Sequence, residues 1–125
     1  MLIGDTFVRR SGSDGYHLCI VVSDPLSNPK EVLVLNLTTL YGNSYDDHSC
    51  VFQADEHTWL RHETYVAYDM AEIFTNSYLD RLQSKVVKPA DPFPMALLHR
   101  VHAGAAVTQN LELRYLLIVQ DEGWI

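Results

Sequence analysis

Tyr16-His17-Leu18-Cys19-Ile20-Val21-Val22-Ser23 runs into Asp24-Pro25, and after the loop Ser27-Asn28-Pro29-Lys30 the chain resumes as Glu31-Val32-Leu33-Val34-Leu35-Asn36-Leu37. Two short runs dense in β-branched and apolar residues, separated by Pro, Ser and Asn, read as two strands. Upstream, Thr6-Phe7-Val8-Arg9-Arg10 is a strand candidate that ends in the turn composition Ser11-Gly12-Ser13-Asp14-Gly15. Downstream, residues 38–48 form a long polar loop with Gly42, Asn43, Ser44, Asp46 and Asp47, followed by a short strand, Ser49-Cys50-Val51-Phe52. Residues 54–62 read as an irregular or one-turn segment. Thr64-Tyr65-Val66-Ala67-Tyr68 alternates as a strand, and Ala71-Glu72-Ile73-Phe74-Thr75 reads as another. Six short strands thus fall within residues 1–75, a pattern that predicts a compact antiparallel barrel or sandwich.

The pattern changes after residue 75. Asn76 or Ser77 can cap a short helix to Gln83, with Tyr78, Leu79 and Leu82 at helical spacing. Residues 86–93 carry Pro89 and Pro92 and read as a linker or edge. Pro94 suits the first turn of a helix. Met95, Leu98, Val101, His102 and Ala105 then recur at spacings of three and four, which is one helix face. Gly104 is an unfavourable residue inside that helix. Residues 110–120 (NLELRYLLIVQ) suit a buried strand or a last helix, and the helix is preferred here; residues 121–125 read as a loose tail. The expected fold class is α+β in a single domain over 1–125, with a barrel over 1–75 and a helical part over 76–120.

Charged residues are 20% and hydrophobic ones 47%, so the chain can bury a core without a disulfide or a structural metal. A net charge of −7 argues against a non-specific duplex binder, which needs a basic surface. It leaves room for a narrow site where a few cations and histidines hold one strand. Cys19 and Cys50 lie in apolar, strand-like runs outside any CxxC and read as buried free thiols in a reducing compartment; a disulfide between them is the alternative. Met1-Leu2-Ile3-Gly4-Asp5 lacks a cationic region and a long apolar region. No stretch has the apolar length to span a bilayer, so a cytoplasmic location without a membrane partner is expected.

Gly4-Asp5 opens the first strand, Gly15-Tyr16-His17-Leu18 precedes the apolar strand, and Asn36-Leu37-Thr38-Thr39 ends the third. Thr64-Tyr65-Val66, Glu72-Ile73 and Asp80-Arg81-Leu82 follow in that order. This order resembles the MazF/PemK family of toxin ribonucleases over about the first two-thirds of the chain. The family carries a Gly-Asp pair, a Gly-x-Arg-Pro signature and a Pro-x-Thr-Ser-like corner at the corresponding places. His17 stands where the family has its catalytic Arg, Leu18 where it has Pro, and Thr38 keeps the family's Thr. The resemblance implies an SH3-like barrel, a homodimer, cleavage of single-stranded RNA without metal or cofactor, and neutralisation by an antitoxin protein. Histidine cannot supply the constant charge and forked donors of arginine, so the resemblance implies a divergent member with altered or lost chemistry.

Cleavage through the 2′-hydroxyl needs one group to take its proton, one to protonate the leaving 5′-oxygen and one to stabilise phosphate charge. Histidine suits the first two roles, because as a residue type it titrates near neutrality. His17, beside a glycine turn at a strand mouth, and Thr38 and Thr39, at a strand end, are candidates. Their structural reading is a polar strand start and a pair of β-formers. Asp55-Glu56-His57-Thr58-Trp59-Leu60-Arg61-His62-Glu63 is the most unusual stretch in the chain. There His57 or His62 can move protons, Arg61 can contact phosphate and Trp59 can stack a base; the competing reading is an exposed charged turn anchored by Trp59. Tyr65 and Tyr68 read as packing residues. His57, His62 and Asp47 could form a metal-dependent hydrolase site, although their spacing matches no strong metal signature. His102 falls on the apolar helix face and His99 at its edge, so both read as packing. The rival from another class is a non-catalytic SH3-like module that binds a protein or nucleic-acid partner.

Overall fold

The computed structural model describes residues 1–10, 15–85 and 88–125, with side chains described outside 83–89. The expected turn at 11–14, and residues 86 and 87 of the expected linker, lie outside the described residues. The elements are β1 (Thr6–Arg10), β2 (Tyr16–Val21), β3 (Val32–Thr39), β4 (Val51–Phe52), β5 (Thr64–Phe74), α1 (Asn76–Lys85), β6 (Lys88–Ala90), α2 (Met95–Val107) and α3 (Leu113–Asp121). The fold is α+β: a six-stranded antiparallel sheet in the order β4-β5-β3-β2-β1-β6, with three helices.

The apolar runs that open the sequence are continuous rather than alternating because both faces of the sheet are covered. Leu18 and Ile20 of β2, with Leu33, Leu35 and Leu37 of β3, join Leu98, Val101 and Ala105 of α2 and Tyr115 and Val119 of α3 in the larger core. Successive side chains of a strand point to opposite faces. Cys19 and Val21, with Val32 and Val34, therefore face the other way, where Phe7 and Leu79 of α1 complete a second, smaller core. Each such side chain removed from water contributes about 1.5–3 kcal/mol.

The sheet is open: among the described residues no ladder joins β4 to β6. Side chains span the gap. His57 Nε2 donates to the Asp91 carbonyl at 2.5 Å, Thr58 Oγ1 donates to Asp91 Oδ2 at 2.8 Å, and the Phe52 ring meets Phe93 edge-on at 5.4 Å.

Several expectations are corrected. Segments 64–68 and 71–75 form one strand, β5, because the chain bulges without leaving the ladder: Val34 pairs with Glu72 and Asn36 with Ala67, so residues 68–71 oppose Leu35 alone. Thr38 and Thr39 belong to β3, paired with Tyr65 and Thr64, and do not open the loop. Within 86–93, read as a linker or edge, residues 88–90 form β6, an edge strand on β1, inside the part expected to be helical as a whole. It tolerates Pro89 because an edge strand can dispense with one N–H. Helix α1 is capped one residue early, with Thr75 Oγ1 accepting the Tyr78 N–H at 3.1 Å.

The C-terminal residues are docked rather than loose. Trp124 stacks on His102 at 4.7 Å, and its Nε1 donates to Glu122 Oε1, which also accepts the Asp24 N–H. Gly104 of α2 has a packing reason. A Cβ there would lie 2.8 Å from Cys50 Cβ and 2.9 Å from the Ser49 carbonyl, and would overlap the Tyr68 hydroxyl. That hydroxyl donates to the Val101 carbonyl. Both cysteines are free and buried; burial pushes the Cys19 thiol up to about 12 and that of Cys50 to about 11. Among the described residues no helix is long and apolar enough to cross a membrane.

Candidate functional site

Helix α1 covers only part of its side of the sheet. By strand alternation, His17 shares a face with Cys19 and Val21, and Asn36 and Thr38 share one with Val32 and Val34. Tyr65 and Ala67 point away from Val66 and Tyr68, which belong to the larger core. Where α1 stops, these residues form the floor of a groove of about 600 Å³. Trp59, Arg61 and His62 line it from the β4–β5 connection, and Tyr16, Tyr41, Asp69 and Met70 line it as well.

The floor is set by register. The β2–β3 ladder pairs Cys19 with Asn36. Two residues earlier on β2, the His17 ring turns onto β3, with Nδ1 donating to the Leu37 carbonyl at 3.1 Å. That bond fixes the ring and leaves Nε2 without a partner among the described residues. Thr38 lies next to that carbonyl and opposite Tyr65. Asn36 is buried, and its Oδ1 accepts from Cys19 Sγ at 3.1 Å.

The wall is set by a turn that sorts a polar stretch into buried and projecting members. Leu60 is buried in the larger core, and its N–H donates to the His57 carbonyl at 3.0 Å. His57 is buried too. Its Nε2 is bound to Asp91, its Nδ1 accepts the Trp59 N–H at 3.1 Å, and its ring lies 4.8 Å from that of Phe93. Glu56 is tied to Arg100 by a 2.5 Å ion pair. The residues between and beyond these anchors project: Trp59 is 41% exposed, and Arg61 and His62 are exposed. Arg61 Nη1 donates to the Thr58 carbonyl at 2.9 Å. Arg9, Arg100 and Arg114 are paired with Glu72, Glu56 and Glu112, whereas Arg61 meets no carboxylate among the described residues.

The structure therefore brings His17, Thr38, Thr39, Trp59, Arg61 and His62 around one groove and leaves His57 out of it, with both ring nitrogens engaged in holding the turn. Asp47 also lies elsewhere, accepting from Ser49, Thr108 and Asn110. Burial pulls its carboxyl up, but these hydrogen bonds outweigh burial and hold it below the usual carboxylate range. Asp47, His57 and His62 thus do not meet, and no group of three metal-ligating side chains is assembled among the described residues. His102 is buried on α2, with Nε2 donating to the Val22 carbonyl at 2.8 Å, while His99 is exposed.

Sequence reasoning missed Tyr16, Tyr41, Tyr65 and Asp69. Tyr16 adjoins His17, and Tyr65 alternates with core residue Val66, so both carried a local signal. Tyr41 is placed by Asp46, whose Oδ2 accepts the N–H groups of Tyr41, Gly42 and Asn43. Burial, and then the carboxylates of Asp46, Asp69 and Asp47, raise the Tyr65 phenol above its ordinary value, so it stays an O–H donor.

A donor-bearing floor, two histidines each with a ring nitrogen that meets no partner among the described residues, a guanidinium that meets no carboxylate among them and several exposed aromatic rings can together hold a phosphate, move protons and stack bases. Searches of family models, curated proteins and solved structures found no significant match to this chain.

Proposed function

We propose that the groove cleaves single-stranded RNA by histidine acid–base chemistry, as a divergent MazF/PemK-like endoribonuclease. One observation carries the reading. Residues as far apart in sequence as His17 and His62 line a single groove together with Thr38, Trp59 and Arg61. In this reading His17 Nε2, aimed by its Nδ1 bond to Leu37, takes the 2′-hydroxyl proton. The 2′-oxygen bonds to phosphorus, the bond from phosphorus to the 5′-oxygen breaks, and His62 protonates the leaving oxygen. The products are a 2′,3′-cyclic phosphate and a 5′-hydroxyl. Arg61 and the hydroxyls of Thr38, Thr39 and Tyr65 contact the phosphate, and Trp59 stacks a base. An SH3-like barrel, a homodimer and an antitoxin partner belong to the same reading. The side chains that link β4 and the connection after it to the segment after β6 are what favours the barrel.

The test is incubation of the purified protein with a long unstructured RNA in EDTA, with end-group analysis of the fragments. Cleavage to cyclic-phosphate ends that is lost in a folded His17→Ala variant supports the reading; an inert wild-type protein overturns it. A second reading, a non-catalytic binding module, is favoured by the net charge of −7 and by a carboxylate on the groove. Stable binding of a protein partner, with no RNase activity in the free chain, would select it.

A further inference from the structure

Asp69 and Met70 lie where β5 bulges from its ladder with β3. A bulge re-aims side chains and is common beside active sites. Both residues line the groove, and both are exposed. Among the described residues Asp69 is the only carboxylate that lines the groove. Its side chain makes no hydrogen bond and no ion pair among the described residues, unlike Asp46 and Asp47, whose oxygens are taken up by loop and helix partners.

An ionised carboxylate only accepts hydrogen bonds. In a groove that carries a phosphate chain it repels the backbone and is satisfied by facing donors of the nucleotide: ribose hydroxyls, which do not distinguish bases, or N–H groups of the base, which do. Guanine alone among the four RNA bases presents two adjacent N–H donors, N1–H and the exocyclic amine, matching the two oxygens of one carboxylate. Adenine and cytosine set a single amino group beside an acceptor, and uracil sets one N–H between two carbonyls.

We propose that Asp69 reads the Watson–Crick edge of a guanine base, making this groove a guanine-selective nucleotide site whose aromatic rim supplies the stacking face. This rests on the groove being an RNA site. The chemistry is that of a bidentate pair, which discriminates between bases by roughly tenfold or more.

Calorimetric titration of the full chain with GMP, IMP, AMP, CMP and UMP tests it without requiring catalysis. The expected result is GMP bound about tenfold tighter than AMP, with IMP, which lacks the exocyclic amine, in between. Asp69→Asn should abolish the GMP preference, because the amide offers one donor and one acceptor in place of two acceptors, with the melting temperature unchanged. Equal affinities for GMP and AMP, a preference that survives Asp69→Asn, or no binding of any nucleotide would each overturn the proposal. RNA cleavage without guanine selectivity removes this inference alone, whereas GMP selectivity without RNA cleavage removes the nuclease reading and leaves the guanine site.

Discussion

The two faces of the sheet are built by the same strands and finished differently. On one face α2 and α3 seal the larger core. On the other α1 covers Phe7, Cys19, Val21, Val32 and Val34, and the continuation of that face through His17, Asn36, Thr38 and Tyr65 is left as a groove. His102 and His17 show what the difference does. Each spends one ring nitrogen on a backbone carbonyl, His102 on Val22, just past β2, at 2.8 Å and His17 on Leu37 of β3 at 3.1 Å. The second nitrogen of His102 is buried, with no partner among the described residues, in a ring stacked on Trp124, whereas that of His17 belongs to a groove residue. One local device is sealed under a helix on one face and opens onto a groove on the other.

The largest effect expected from breaking this contrast is at His17. His17→Ala should lower RNA cleavage by about 10²–10⁴-fold with little change in melting temperature, and His62→Ala should do the same. Loss of folding in place of activity would make the open face a structural one. The sealed face should respond in the opposite sense. Gly104→Val places a side chain against Tyr68, Cys50 and Ser49 and should cost about 1–3 kcal/mol in denaturant unfolding, with Gly104→Ala at the lower end. Cleavage per folded molecule should persist.

His57 sharpens the comparison, because it lies five residues from His62 yet sits under the turn. His57→Ala should cost about 1–2 kcal/mol by unpairing the Asp91 carbonyl and the Trp59 N–H, with a far smaller effect on turnover than His17→Ala.

The smallest effect is a pH dependence. Burial lowers the His102 pKa, so the unfolded chain binds a proton there more readily than the folded one. The stabilisation is therefore fully present above the unfolded value of about 6.5 and is lost as pH falls through it toward the lower folded value. Melting temperatures recorded from about pH 8 to about pH 5.5 should decline, and His102→Gln should flatten that decline.

Much of the fold was legible because strands covered on both faces read as unbroken apolar runs; Leu18 to Val22 and Val32 to Leu35 needed no alternation to be recognised. The bulged strand was not, because exposed Asp69 and Met70 interrupt the pattern where β5 leaves its register. The prolines of 86–93 marked a linker or edge, but which strand that edge joins was not legible, because the pairing of β6 with β1 is a tertiary fact. In the site, residue types carried the signal: His17, Thr38, Trp59, Arg61 and His62 were singled out for chemistry they can perform. Which histidine of the polar stretch is buried was not legible. That depends on Leu60 entering the core and on Asp91, from a distant segment, meeting His57. Asp69 carried no local signal because its placement comes from the bulge.

The central claim is that the uncovered half of the sheet face, and not the sealed one, is where RNA sits. It is tested most directly by following the imidazole NMR resonances while adding a hexanucleotide made uncleavable by 2′-deoxy substitution. The account predicts that the signals of His17 and His62 shift together with saturation while those of His57 and His102 stay in place. Shifts at His102 or His57 with His17 unmoved, or no shift at any histidine, would contradict it.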